Sequence, residues 1–85
     1  MRRSRLDIII NILEVAKEGV HKTGIVYKAN LNFKLANRYL DLLQKYGLIE
    51  NRLDKYIITD KGKIFLDKAN EIILELVAPS QNSLF

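Results

Sequence analysis

Apolar residues recur every three or four positions in four stretches of this chain, the spacing that places them on one face of a helix. Two shorter stretches are rich in β-branched and aromatic residues and flank a polar segment, which predicts a hairpin. A three-residue stub earlier in the chain is long enough for a single bridge to one strand. The predicted elements are a helix at 4–18, the stub at 20–22, helices at 24–29 and 33–46, strands at 48–51 and 56–59, and a helix at 60–77.

Residues that commonly start or stop a helix stand at the ends of these stretches. The predicted N-caps are Ser4, Thr23, Asn32, and Thr59 or Asp60, and the predicted stops are Gly19, Gly47 and Pro79. Between the second and third helices, Asn30-Leu31-Asn32 forms the turn. The inward positions of the third helix are predicted to be Phe33, Ala36, Tyr39, Leu40, Leu42 and Leu43.

The order of elements predicts a winged helix-turn-helix: mainly α with a small β-hairpin wing and a long C-terminal helix. With 85 residues, the chain has enough material for one hydrophobic core and too little for two. We therefore expect a single domain at 1–78, whose last helix covers about 60–77, and a flexible tail at 79–85.

Positive charge is concentrated in the first three quarters of the chain, although the formal net charge is only +4. Residues 1–63 hold 13 Lys and Arg against 7 Asp and Glu, whereas residues 64–85 hold 1 against 3. The 22 positions between Glu18 and Asp41 contain no acidic residue but include Lys22, Lys28, Lys34 and Arg38. A helix-turn-helix whose second helix lies against a polyanion needs this arrangement.

The outer face of the third helix is predicted to contact DNA. Arg38 can bind guanine and Asn37 can bind adenine in the major groove, while Asn32 can donate to phosphate. The predicted DNA-binding residues, with the hairpin tip included, are Lys22, Lys28, Asn32, Lys34, Asn37, Arg38, Lys45, Arg52 and Lys55. The same pattern is compatible with an ordinary solvated face of the third helix. The arginines at 2, 3 and 5 could form either a basic arm that contacts DNA or a solubilising end.

The last helix carries more apolar residues than one small domain needs, at heptad-like spacing. Together with a second apolar stripe on the first helix, this surplus predicts a two-fold homodimer. The alternative is that the whole stripe belongs to the core of one chain. The predicted dimerisation residues are Ile8, Ile12, Leu66, Ala69, Ile72, Ile73, Leu76 and Val77.

The sequence lacks the residues that several classes of function require. The chain has no cysteine, one histidine and no Gly-rich phosphate loop, so we expect no enzyme activity, no metal, no cofactor and no small-molecule ligand. No apolar run approaches the roughly 20 residues of a membrane span. The expected location is the cytoplasm, in association with the nucleoid.

Three runs, Lys22 to Leu31 (KTGIVYKANL), Leu40 to Ile49 (LDLLQKYGLI) and Tyr56 to Gly62 (YIITDKG), resemble an archaeal winged-helix DNA-binding family. The resemblance covers roughly residues 4–77. The family contains small basic chromatin-like proteins and predicted transcriptional regulators. Some members dimerise through a long C-terminal helix that forms an antiparallel coiled coil, and the resemblance implies DNA binding without a cofactor. Here Pro79 would keep any such coil short.

The favoured hypothesis is therefore a homodimer that binds double-stranded DNA, either as a transcription regulator or as an architectural chromatin protein. The alternative is a winged-helix module for protein–protein interaction, in which the same surface packs on a partner and no DNA is bound.

Overall fold

The structure, a computed structural model, describes residues 3–77 of the chain. Its elements are α1 Arg5–Val15 with a 3-10 turn Ala16–Glu18, α2 Lys22–Lys28, α3 Phe33–Lys45, β1 Ile49–Arg52, β2 Lys55–Ile58 and α4 Asp60–Val77. This order confirms the predicted winged helix-turn-helix fold. The predicted stop at Pro79 and the predicted tail lie outside the described residues. Among the helices that are described, none is both long and apolar enough to cross a membrane.

Ser4 caps α1 as the sequence predicts, and the structure shows a capping box there. The Ser4 hydroxyl accepts the Asp7 N–H at 3.1 Å, and the Asp7 carboxylate accepts the Ser4 N–H at 3.1 Å. The pair satisfies backbone donors that a helix start leaves without partners. The last predicted turn of this helix tightens into the 3-10 turn, which ends at Gly19 with φ +87°, a region that glycine adopts readily.

α2 begins at Lys22, earlier than predicted, and Thr23 is not its cap. The physical reason lies in the preceding stub. Val20 forms the predicted single bridge with Tyr56, donating its N–H to the Tyr56 carbonyl at 2.9 Å and accepting the Tyr56 N–H at 2.7 Å. Only His21 follows in an extended conformation before the chain turns into the helix. The bridge therefore sets the start of α2, in preference to the residue type at position 23.

The start of α3 agrees with the prediction. Asn32 is the N-cap, because its side-chain Oδ1 accepts the Leu35 N–H at 2.7 Å. Just before it, Asn30 has a φ of +55°, which asparagine tolerates better than most residues. The turn therefore fixes where α3 begins and the direction in which it leaves α2.

The hairpin has the register that the predicted strands imply, but both strands lie one residue closer to the tip than predicted. The strands pair antiparallel with Ile49 opposite Ile58 and Arg52 opposite Lys55, so the tip has two residues instead of four. These two residues, Leu53 and Asp54, have φ values of +50° and +68°, as a type I′ hairpin turn requires. Leucine is uncommon at positive φ, so the residue types alone did not indicate this turn.

One hydroxyl joins the start of α4 to the end of α3. Thr59 Oγ1 accepts the Gly62 N–H at 2.9 Å, and it donates to the Gly47 carbonyl at 2.6 Å. Of the two predicted caps, Thr59 is thus the one that caps α4. Gly62 is buried against the chain that enters β1, where a β-carbon would overlap the Leu48 carbonyl oxygen. This close approach holds α4 against the hairpin.

The core is contributed by every helix and both strands, and its largest fully buried side chains are Ile12, Leu13, Ile25, Leu40, Leu43, Ile49 and Leu66. On α3 the predicted inward residues Ala36, Tyr39, Leu40 and Leu43 are buried. The prediction was wrong for two other residues, because Phe33 is 51% exposed and Leu42 is 38% exposed.

Half of the predicted dimerisation residues lie inside this core. Ile8, Ile12, Leu66 and Ala69 are all less than 9% exposed in a single chain. Because α1 packs against α4, each helix covers this part of the apolar stripe of the other. For these four residues the predicted partner contact has to be corrected to contact within the chain.

Candidate nucleic-acid interface

The outer face of α3 is exposed along its full length. Lys34, Asn37, Arg38, Asp41 and Lys45 are all exposed, on the side opposite the buried residues of the same helix. The spacing of three and four residues puts them on one surface. Lys45 lies over the ring of Tyr46, with 5.8 Å between its Nζ and the ring centroid. The helix therefore presents hydrogen-bond donors of the kinds that bind base edges and phosphates.

The cations of α2 extend this surface. Lys28 is exposed and Lys22 is half-buried. Within residues 3–77, the ion pairs join Lys17 to Glu14 at 3.0 Å and Arg52 to Glu50 at 3.2 Å. Neither pair includes a cation of α2 or α3, so the charges of the helix-turn-helix are not neutralised by neighbouring carboxylates at these distances.

Asn32 has fewer side-chain atoms free to hydrogen-bond with DNA than the sequence alone indicated. Its Oδ1 is occupied by the Leu35 N–H, and the amide Nδ2 remains as the group that can donate to a phosphate. The cap also fixes the side chain at the start of α3. Asn32 is therefore both a structural cap and a candidate phosphate donor.

The charges of the wing favour DNA binding less clearly than the charges of α2 and α3 do. Arg52 and Lys55 are exposed, but Arg52 pairs with Glu50, and Asp54 lies at the tip. Two cations and two anions thus share the end of the hairpin. The wing is braced against the body, since the ring Nδ1 of His21 lies 3.1 Å from the Asp54 carbonyl oxygen.

Open hollows flank α3 on its two sides. The hollow towards the wing has a volume of about 570 Å³ and is lined by His21, Lys22, Thr23, Phe33, Asn51, Asp54 and Tyr56. The hollow towards α1 has a volume of about 390 Å³ and is lined by Arg5, Arg38, Tyr39, Asp41, Leu42 and Lys45. Phe33 and Arg5 also belong to this surface, although Phe33 was predicted in the core and Arg5 in a terminal arm.

Arg3 has a structural role that its place near the N-terminus did not indicate. Its guanidinium donates to the carbonyl oxygens of Ala29 at 2.8 Å and Asn30 at 2.9 Å, at the end of α2. The last carbonyls of a helix lack partners within the helix, and a cation there is favoured by the helix dipole. Arg3 therefore ties the segment before α1 to the helix-turn-helix.

The remaining predicted dimerisation residues are at the surface. Ile72, Leu76 and Val77 are 58%, 76% and 75% exposed, and Ile73 is half-buried. Leu74, which was not predicted, is 65% exposed. Apolar side chains thus surround most of the last two turns of α4, beyond the end of the core.

Among the residues that the structure describes, no group of three or more potential metal ligands comes together. The geometry around α2 and α3 is that of a surface for hydrogen bonding and charge neutralisation.

The chain is similar to known proteins over most of its length. A family model described as winged helix-turn-helix matches residues 2–76. Two relatives are uncharacterized proteins of Methanocaldococcus jannaschii. MJ0287 is 38% identical over 63 residues, which are 73% of this chain and 65% of that protein. MJ0290 is 32% identical over 82 residues, which are 95% of this chain and 38% of that protein. The chain thus spans less than two thirds of either relative.

Solved structures with the same fold include the crystal structure of Sso10a-2, a DNA-binding protein from Sulfolobus solfataricus. It has a TM-score of 0.74 and 33% identity, covering 84% of this chain and 79% of that chain. A protein of unknown function from Listeria innocua Clip11262 has a TM-score of 0.70, and the transcriptional repressor CouR, bound to p-coumaroyl-CoA, has one of 0.62. Both are 21% identical, covering 91% of this chain and 63% of their own, and they support the fold alone.

Proposed function

Because this chain belongs to the winged helix-turn-helix family, we propose that it binds double-stranded DNA as a homodimer, with α3 in the major groove. The family is one of DNA-binding and regulatory domains and not of enzymes. The role is that of a transcription regulator or an architectural chromatin protein, which works in the cytoplasm at the nucleoid.

One observation carries the proposal. The 22 residues without an acidic side chain, 19–40, include α2, the turn and the first eight residues of α3, the segment that a helix-turn-helix applies to DNA. Three of its cations, Lys28, Lys34 and Arg38, are exposed. An ordinary solvated surface normally mixes charges of both signs, whereas a surface for a polyanion excludes anions. The likeness to Sso10a-2, which is described as a DNA-binding protein, supports the same conclusion.

The individual contacts follow from the chemistry of the side chains. Arg38 reads guanine O6 and N7 with two hydrogen bonds, and Asn37 reads adenine N6 and N7. Lys34 and Lys28 neutralise phosphates on either side of the groove. Asn32 donates its free amide to a phosphate near the start of α3, where backbone N–H groups also point outward. Asp41 limits phosphate contact towards the other end of that helix.

Salt dependence of binding tests this proposal directly. If Lys22, Lys28 and Lys34 each neutralise one phosphate, log K falls with log salt with a slope of about −2.7 per protomer. Fluorescence anisotropy of a labelled duplex measures the slope. Lys34→Ala should reduce the slope by about 0.9 per protomer, whereas Arg38→Ala, which removes the proposed guanine contact, should weaken binding by about 1–3 kcal/mol.

A matched control separates local contacts from net charge. Lys68→Ala removes the same charge from the exposed surface of α4, and it should leave the slope unchanged. If the α3 variants bind with the affinity and slope of the unmodified protein, α3 does not contact DNA. If no duplex binds at low salt, the alternative of a protein–protein module is favoured.

The homodimer rests on the end of α4. Ile72, Leu74, Leu76 and Val77 are more than half exposed, and they follow Ala69, the last buried residue of the helix. Contiguous apolar surface of this kind commonly marks a protein–protein interface. A second copy of α4 offers the same surface, which is what a two-fold interface needs. Two copies of α3 would then read half-sites about 34 Å apart, or a multiple of that distance.

The dimer is tested by charge placed at its centre. Ile72→Glu should give monomers in sedimentation velocity, because an unpaired carboxylate would be buried at the interface. Ile64→Glu is the control, since Ile64 is 59% exposed on α4 at the level of the core and should leave the dimer intact. A monomer at micromolar concentration in the unmodified protein would contradict the proposal.

Selection from a random duplex pool distinguishes the two roles. An enriched motif identifies a transcription regulator, because base contacts by Arg38 and Asn37 then dominate. A flat distribution identifies an architectural protein that binds through phosphates.

A further inference from the structure

The strongest feature left unassigned is Phe33, a large apolar side chain that the structure leaves 51% exposed at the first position of α3. Helical spacing predicts it in the core, because it lies seven residues before the buried Leu40. Instead it lines the hollow between the start of α2 and the wing. In a helix-turn-helix, the first residues of the second helix are those that contact base edges.

Phe33 also has a polar neighbour of complementary chemistry. Asn37 is four residues later and exposed, so its side chain lies one turn away on the same side of α3. An asparagine reads adenine through N6 and N7, and a phenylalanine packs on the C5-methyl group of thymine. Both groups lie on the major-groove edge of A·T pairs. The two residues therefore match one kind of base pair.

We propose that Phe33 is a specificity residue that packs on thymine methyl groups, and that with Asn37 it gives the wing side of α3 a preference for A·T pairs. This inference rests on the proposed DNA binding and adds the base class that is read. Lys22 and Asp54, which both line the hollow, carry opposite charges, so this pair adds no net charge beside the apolar ring of Phe33. The charged side chains on the outer face of α3 make the proposed contacts with phosphates and guanine.

Removal of the methyl group tests the inference without knowledge of a target site. The test uses two labelled duplexes of alternating A·T sequence, each about 20 base pairs or two helical turns long. They differ only in that one contains deoxythymidine and the other deoxyuridine. Anisotropy titrations at physiological salt compare them. The unmodified protein should bind the thymine duplex about fourfold more tightly for each ring in contact, the factor expected for burial of one methyl group.

Variants assign the preference to one side chain. Phe33→Ala should lose the part of the thymine preference that comes from the methyl contact, whereas Phe33→Leu, which keeps an apolar surface, should retain most of it. Tyr46→Ala is the matched control, because Tyr46 is 54% exposed at the opposite end of α3 and should leave the ratio unchanged. Any effect of deoxyuridine on the shape of the duplex remains in Phe33→Ala and is thereby subtracted.

The outcomes separate the two proposals. Equal binding of both duplexes by the unmodified protein overturns this inference and leaves DNA binding intact, as does a full thymine preference in Phe33→Ala. Failure to bind either duplex at any salt concentration overturns the proposed function and this inference with it.

Discussion

Replacement of Gly62 by alanine tests how closely α4 must approach the hairpin. A β-carbon at position 62 would overlap the Leu48 carbonyl oxygen and come within 2.7 Å of Ile58 Cγ1. The Leu48 oxygen cannot rotate away, because it belongs to the backbone and accepts the Thr59 N–H at 3.1 Å. Either α4 moves away from the hairpin or this hydrogen bond breaks.

The expected loss of stability is the difference between opposing effects. Alanine favours the helix over glycine by about 0.8–1.0 kcal/mol. Overpacking in a close contact typically costs about 1–3 kcal/mol, and a lost backbone hydrogen bond about 0.5–1.5 kcal/mol. The free energy of unfolding should therefore fall by about 1–3 kcal/mol. A chain of 85 residues typically has about 4–13 kcal/mol in total.

Urea denaturation followed by circular dichroism measures this loss, at fixed protein concentration because the proposed dimer would contribute to stability. Gly24→Ala is the matched control. Its β-carbon would meet Val20 Cγ2 at 2.6 Å, a side-chain methyl group of a half-buried residue, whereas the overlap at position 62 is with a backbone oxygen. Its change should stay within about 1 kcal/mol, since the gain in helix propensity offsets the adjustment. If Gly62→Ala is as stable as the unmodified protein, the close approach of α4 does not restrict this position.

The remaining predictions concern the two turns. Asn32→Ala should lower the free energy of unfolding by about 1 kcal/mol through loss of the cap, whereas Asn32→Asp should keep the stability but weaken duplex binding, because it adds an anion at the start of α3. Thermal unfolding and anisotropy measure the two effects, and equal duplex binding by Asn32→Asp would contradict the assignment of this surface. The double variant Leu53→Asn, Asp54→Gly should raise stability by about 1 kcal/mol or more, since both new residues tolerate positive φ. No gain in the urea midpoint would argue against strain at Leu53.

The sequence was sufficient for the topology because the signals that fix it are local. The capping box at Ser4, the cap at Asn32 and the glycine after the first helix all depend on neighbours within four residues. Periodicity identified the buried side of α3 for the same reason. The element order then left the winged helix as the prediction, and the structure confirmed it.

The features that the sequence did not reveal depend on contacts between distant residues. The single bridge of Val20 was predicted, but its effect on the start of α2 was not, because the bridge joins residues 36 positions apart. Phe33 follows the apolar spacing of α3, but its neighbours across the fold form an open hollow instead of a packed core. Ile12 and Leu66 are buried because α1 and α4 cover each other. Helical spacing identifies an apolar stripe but not the element that covers it.

The most direct test of the central claim is an amide NMR titration of isotope-labelled protein with a short DNA duplex. If α2 and α3 form the interface, the largest shifts will fall on residues 22–28 and 32–45, with smaller shifts at the wing and none at the end of α4. Shifts confined to residues 72–77, with the resonances of α3 unchanged at saturating DNA, would contradict the account.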